Sequence, residues 1–93
     1  MQVFSQDESR FRLDRLSGWN IDEGMLIKTF KFKDFRSALH FVNGVGELAE
    51  KAGHHPDIDI RYNRVTLSLT THDAGGLTGK DFELAEGAEK LAG

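Results

Sequence analysis

"GHHPDIDIRYNRVTLSLTTHD", residues 53–73, contains two stretches of strict apolar–polar alternation, "DIDIRY" and "VTLSLTTH", on either side of Asn63 and Arg64. Alternation with period two is the pattern of strands with one buried and one wet face. Two intervening residues read as the loop of an antiparallel hairpin. With Asn63 and Arg64 as that loop, Tyr62 faces Val65, Ile60 faces Leu67 and Ile58 faces Leu69. Apolar residues then pair with apolar ones, whereas a one-residue slip would mix the faces. Extended further, this register sets His55 opposite His72, on the polar face with Asp57, Asp59, Ser68 and Thr70.

Working outward, "SQDESRFRLDRL" (residues 5–16) reads as a short helix opened by a Ser5/Glu8 capping box and stopped by Gly18. "WNIDEGMLIKTFKF" (19–32) reads as two strands about a turn at "DEG", with Phe30 and Phe32 on the buried face. "DFRSALHFVNGVGELAEKAG" (34–53) is the strongest helix pattern, with Asp34 as cap and Gly53 as stop. Its expected core stripe is Phe35, Leu39, Val42, Val45 and Leu48 or Ala49. Gly44 and Gly46 each cost about 1 kcal/mol in a helix interior, which points to close packing, a partner subunit being one candidate. After "DAGGL", Thr78 caps a last helix reaching about Leu91, with Asp81 at its third position and Gly87 weakening its middle. The order α-β-β-α-β-β-α predicts a single α+β domain over residues 1–93: a four-stranded antiparallel sheet with three helices on one face.

The composition supports one globular domain. The chain has 93 residues, 39% hydrophobic and 29% charged, with seven phenylalanines for a core. A net charge of −3 argues against general affinity for nucleic acid. The absence of cysteine excludes disulfides, thiolate metal sites and a thiol nucleophile. No apolar run approaches the ~18 residues of a membrane span. "MQVFSQDESR" lacks a basic region followed by an apolar stretch, so a cytoplasmic protein without membrane association is expected.

Three of the four histidines lie in the opening stretch. Histidine alone has an unperturbed pKa near neutrality, so such a cluster serves proton transfer, metal binding or a pH switch. Pro56 confines His55 to extended geometry and removes a backbone donor. Strand parity points His54 away, although the bend after Gly53 leaves room for it to join. Three readings stay open from the residues alone. The histidines are structural; or His55, His72 and Asp73 hold a metal such as zinc, without a familiar helical metal motif; or imidazoles perform acid–base chemistry without metal. His40 stands alone and reads as a surface residue. On the same footing Trp19 is core or interface, Asp81 a helix cap, Glu50 a solvated helix residue and "DAGG" a turn.

"EKAGHHP" (50–56), Tyr62 and "THDAGGLTGKD" (71–81), with Trp19 and "FKFKDF" (30–35), resemble the signature of the pterin-4a-carbinolamine dehydratases. The similarity covers about residues 15–92. It implies the α+β subunit just described, joined edge to edge as a homodimer or, with helices packed between dimers, as a homotetramer. It also implies loss of water from 4a-hydroxytetrahydropterin to give quinonoid dihydropterin, recycling the cofactor of an aromatic amino acid hydroxylase. Neither metal nor organic cofactor is implied. Carried over by position, His54, His55 and His72 form the catalytic cluster, with His54 and His72 as acid–base pair and His55 orienting the pterin. Glu50, Asp73 and Asp81 would orient imidazoles or hold substrate, Pro56 would frame the pair, and Trp19 would border the pocket. A non-catalytic dimerisation or assembly cofactor on the same fold is the alternative.

Overall fold

The computed structural model describes residues 2–93, with helices α1 (Gln6–Leu13), α2 (Phe35–Ala52) and α3 (Gly79–Ala92). The strands are β1 (Asn20–Asp22), β2 (Met25–Lys31), β3 (Asp57–Arg61) and β4 (Arg64–Leu69), and a short 3₁₀ turn, His72–Ala74, precedes α3. The strands form one antiparallel sheet in the order β1-β2-β4-β3. This is the α+β order expected from the sequence.

Each helix begins where a side chain satisfies a free backbone N–H. Ser5 accepts from Glu8 N (3.1 Å), Asp34 from Ser37 N (2.8 Å), and Thr78 from Lys80 N (3.3 Å). The expected box at Ser5 is only half made, because the Glu8 carboxylate turns to Arg12 (3.0 Å). At Thr78 the box is complete: Asp81 Oδ2 accepts the Thr78 N–H (3.0 Å). α1 stops at Leu13, before Gly18.

Leu26, Phe30, Val65, Leu67 and Leu69 form the inward face of the sheet. Ala38, Phe41 and Val45 of α2, with Phe82, Leu84, Ala85 and Ala88 of α3, close over it. Burying a side chain of the Val, Leu or Phe class contributes about 1.5–3 kcal/mol, so this layer carries most of the stability. The expected α2 stripe is displaced around the helix. Ala38, Phe41, Val45 and Ala49 are buried, while Phe35 and Leu39 face outward. The small alanines let the helix approach the sheet, a role that a count of large apolar residues overlooks. Gly44 also meets an internal neighbour: a Cβ there would stand 3.2 Å from Leu91 Cδ1. On the facing helix, a Cβ at Gly87 would stand 2.9 Å from Leu48 Cδ1. These two glycines serve the packing of α2 on α3, whereas a Cβ at Gly46 would meet nothing within 4 Å among the described residues.

The hairpin register differs from expectation by two residues. Ile58 pairs with Leu67 and Ile60 with Val65, so Tyr62 and Asn63, rather than Asn63 and Arg64, form the turn. Asn63 fixes this choice by exchanging hydrogen bonds with the end of β2. Its carbonyl accepts from Phe32 N and its side-chain amide donates to Phe32 O, both at 2.8 Å. Tyr62 takes a φ of 53° to allow it. A shift of two preserves every face, which is why alternation could not separate the registers. It does remove the pairing of His55 with His72, because β4 ends at Leu69 and His72 opens the 3₁₀ turn.

Candidate active site

The ending of α2 determines where His54 points. Gly53 adopts the left-handed conformation (φ 62°). Its N–H bonds to Glu50 O (3.3 Å), and the next N–H, of His54, reaches back to Ala49 O (3.1 Å). This is the Schellman termination, in which glycine reverses the chain and satisfies the last helical carbonyls. The reversal carries the His54 ring inward, against the start of α3.

There the ring meets a fully buried carboxylate. His54 Nε2 lies 2.6 Å from Asp81 Oδ1. The other oxygen, Oδ2, accepts from Thr71 Oγ1 (2.9 Å) and from Thr78 N (3.0 Å), and the two threonine hydroxyls bond each other (2.8 Å). An ionised carboxylate only accepts, so the proton shared with His54 is assigned to Nε2. Among the described residues no buried side-chain nitrogen or oxygen lacks a partner. Nδ1 of His54 has no hydrogen-bond partner among the described residues and is not sealed from solvent. Asp81 therefore serves as helix cap and imidazole partner together.

His55 points the other way. Its Nε2 lies 2.5 Å from Glu50 Oε2, with both side chains exposed. Together with Val42, Gly46, Ala49, Pro56 and Ile58 this pair lines a groove of about 570 Å³ between α2 and β3. Pro56 is half-buried there. His72 and Asp73 are exposed on the 3₁₀ turn, and His72 directly follows Thr71, whose hydroxyl holds Asp81. The fold thus joins His54, Asp81 and the Thr71–His72 segment through one carboxylate, and pairs His55 with Glu50 separately. Among the described residues no three histidine or carboxylate side chains converge as a metal ion requires. His55, His72 and Asp73 accordingly do not form a ligand set in this subunit.

Trp19 is buried away from the histidines. Its ring packs edge-on to Phe30 (5.8 Å), and its indole N–H donates to Glu89 Oε2 (2.9 Å). Glu89 stands eight residues beyond Asp81 on α3, about 12 Å along the helix axis. Lys28 completes that second polar cluster, bonding Glu89 Oε2 (2.5 Å) and Ser17 O (2.8 Å). Sequence reasoning missed Thr71 and the second role of Thr78. The signal available was their placement, one just before His72 and the other three residues before Asp81.

The sequence profile of the family described as "Pterin 4 alpha carbinolamine dehydratase" matches residues 2–91. The chain belongs to this family. A protein of Roseiflexus castenholzii named "Putative pterin-4-alpha-carbinolamine dehydratase" is 58% identical over 89 residues, covering 96% of each chain. One of the same name from Chloroflexus aurantiacus is 50% identical over 93 residues, covering all of both. The crystal structure of a transcriptional coactivator/pterin dehydratase from Brucella melitensis matches with a TM-score of 0.96 and 34% identity. That match covers 99% of this chain and 100% of the other. A pterin dehydratase-like protein identified as a RuBisCO assembly factor in the alpha-carboxysome matches at a TM-score of 0.67 and 25% identity, over 81% and 87% of the two chains. The dehydratase family thus includes relatives along the whole of this chain, and a more distant likeness has an assembly role. Among the described residues no helix is long and apolar enough to cross a membrane.

Proposed function

We propose that the protein dehydrates a 4a-hydroxytetrahydropterin to quinonoid dihydropterin and water, with His54 and His72 as its acid–base pair. The observation that carries this reading is the buried Asp81, which holds His54 by Nε2 and is itself held by Thr71, the residue directly before His72. In the reaction the C4a–O bond breaks as the electron pair of a ring nitrogen forms a C=N bond. One histidine delivers a proton to the departing oxygen, and the other takes one from a pterin nitrogen, so the protons balance. Positioned general acids and bases typically contribute 10²–10⁴-fold each. Such a pair gives a rate that passes through a maximum with pH. These steps need only proton transfer, so no metal or organic cofactor enters the proposal.

His55, with Glu50 and the groove beside Pro56, is assigned to orienting the pterin. Asp73 and Trp19 are kept as supporting residues, Trp19 by way of an assembled oligomer, since its ring lies apart from the histidines within one subunit. A homodimer or homotetramer is favoured by the fully exposed edge strand β3 and by the outward Phe35 and Leu39 of α2. The expected setting is the cytoplasm, where the product would return to an aromatic amino acid hydroxylase. Stopped-flow decay of 4a-hydroxytetrahydropterin, with and without the protein, tests the reading directly. Acceleration that disappears in His72→Ala supports it, and decay at the uncatalysed rate rejects it. The second reading, an assembly cofactor with idle histidines, draws on the RuBisCO assembly factor and the transcriptional coactivator/pterin dehydratase among the structural relatives. It gains if the protein leaves the pterin untouched.

A further inference from the structure

The segment before α1 is strapped across the loop that leads into α3. Phe4 donates its backbone N–H to Leu77 O (2.8 Å). Its ring lies 5.9 Å from that of Phe82 and reaches to 3.9 Å from the place of a Cβ on Gly79. The Arg12 guanidinium stands over the Phe4 ring at 4.4 Å and ties it to α1. Val3 sits so close to Gly76 that a Cβ there would come within 2.8 Å of Val3 Cγ1. Residues 76–79 are therefore held from outside by Val3 and Phe4.

The same four residues govern the carboxylate at the site. Gly76 O accepts the Thr71 N–H (3.1 Å), and Thr71 Oγ1 in turn donates to Asp81 Oδ2 (2.9 Å). Thr78 begins α3 and gives its N–H to that oxygen (3.0 Å). Asp81 Oδ1 holds His54 (2.6 Å). A continuous chain of contacts thus runs from Phe4 through residues 76–79 to the imidazole.

We propose that Phe4 is a positioning residue for His54: by pinning residues 76–79 it sets Thr71 and Asp81, and through them the tautomer and tilt of the ring. The consequence for rate rests on the dehydratase reading given above. The consequence for the ring does not, and the two are read separately.

The test uses the full chain with ¹⁵N-labelled histidine, whose long-range ¹H–¹⁵N correlations report which ring nitrogen carries the proton. The unsubstituted protein is expected to show His54 as a single Nε2–H tautomer. In Phe4→Ala, His54 is expected to become a mixture, with turnover falling about 10- to 100-fold through misplacement, while Phe4→Leu retains both properties. A folded Phe4→Ala whose His54 signals match the parent overturns the proposal. Should Phe4→Ala fail to fold, Gly76→Ala decides, because its methyl displaces Val3 from a backbone without positive φ. Disturbed His54 signals that recover when Val3→Ala is added support the strap. Undisturbed signals, or disturbance that Val3→Ala leaves in place, overturn it. Absence of turnover in the parent protein would remove the dehydratase reading and leave the tautomer result to stand by itself.

Discussion

His54 and His55 are neighbours in the chain, and each sets Nε2 against a carboxylate oxygen, at 2.6 Å from Asp81 and 2.5 Å from Glu50. Their surroundings differ. The His54 and Asp81 side chains are 10% and 0% exposed, those of His55 and Glu50 63% and 75%. Water competes for the outer pair, and exposed ion pairs contribute about 0–1 kcal/mol. The inner pair has no such competitor, and each of its groups would be costly to leave unmatched. Two identical residues therefore receive different environments from the helix ending between them and α2. Gly53 turns His54 in, and Pro56 carries His55 out along β3.

The largest effect is expected where that contrast is removed from the inside. Asp81→Ala leaves the His54 ring, the Thr71 hydroxyl and the Thr78 N–H without their acceptor. An unmatched buried group costs about 1–3 kcal/mol, so the urea midpoint should fall sharply. Turnover should fall by about 10²–10⁴-fold. A midpoint and rate equal to the parent's would show that burial is not what separates the two histidines. His72→Ala sharpens the same point from the surface. It should lose a comparable part of the rate while stability stays within about 0.5 kcal/mol, because its side chain is exposed and makes no hydrogen bond among the described residues. Chemical denaturation beside stopped-flow turnover measures both.

The sequence made the architecture legible because each element carried a local signal with a definite period or cap. Asp34, Gly53 and Thr78 mark helix ends that the structure reproduces, and Ile58, Ile60, Val65 and Leu67 mark strand faces that survive even a wrong register. What could not be read depended on contacts distant in the chain. The turn at Tyr62 and Asn63 is set by Phe32, thirty-one residues before Asn63. The inward turn of His54 depends on an aspartate twenty-seven residues later. Strand parity pointed His54 away because it extended β3 backward through a helix ending, where no strand exists. The candidate histidines were legible as residue types, but their division into an inner and an outer one was not.

A smaller effect is expected on the outer side. His55→Ala and Glu50→Gln each remove an exposed pair, so denaturation midpoints should hardly move. If His55 orients the pterin, KM should rise several-fold with kcat nearly unchanged, which is the signature of lost uniform binding. An equal loss in kcat would mean that His55 takes part in proton transfer, and the inner and outer residues would then share one task.

The smallest effect separates the two ends of α2. The C-terminal end holds His54 through backbone hydrogen bonds of Gly53 and His54, which carry no titrating charge. The N-terminal end is held by Asp34, whose carboxyl lies below the ordinary aspartate range. The Ser37 backbone N–H is the main cause, followed by the Ser37 hydroxyl; burial opposes them, and Lys33 and Arg36 add smaller attractions. A value lower in the folded than in the unfolded chain means that the carboxylate stabilises the fold fully above the unfolded value. That contribution drains away as pH falls through the folded value. Asn also caps helices but does not titrate. The midpoint of Asp34→Asn should therefore change less than the parent's as pH is lowered from neutral through the aspartate range. The His54 tautomer signals, compared at one neutral pH, should be the same in both proteins. Equal acid dependence in the two would remove Asp34 from the account of acid stability, and altered His54 signals in Asp34→Asn would show that the two ends of α2 are coupled.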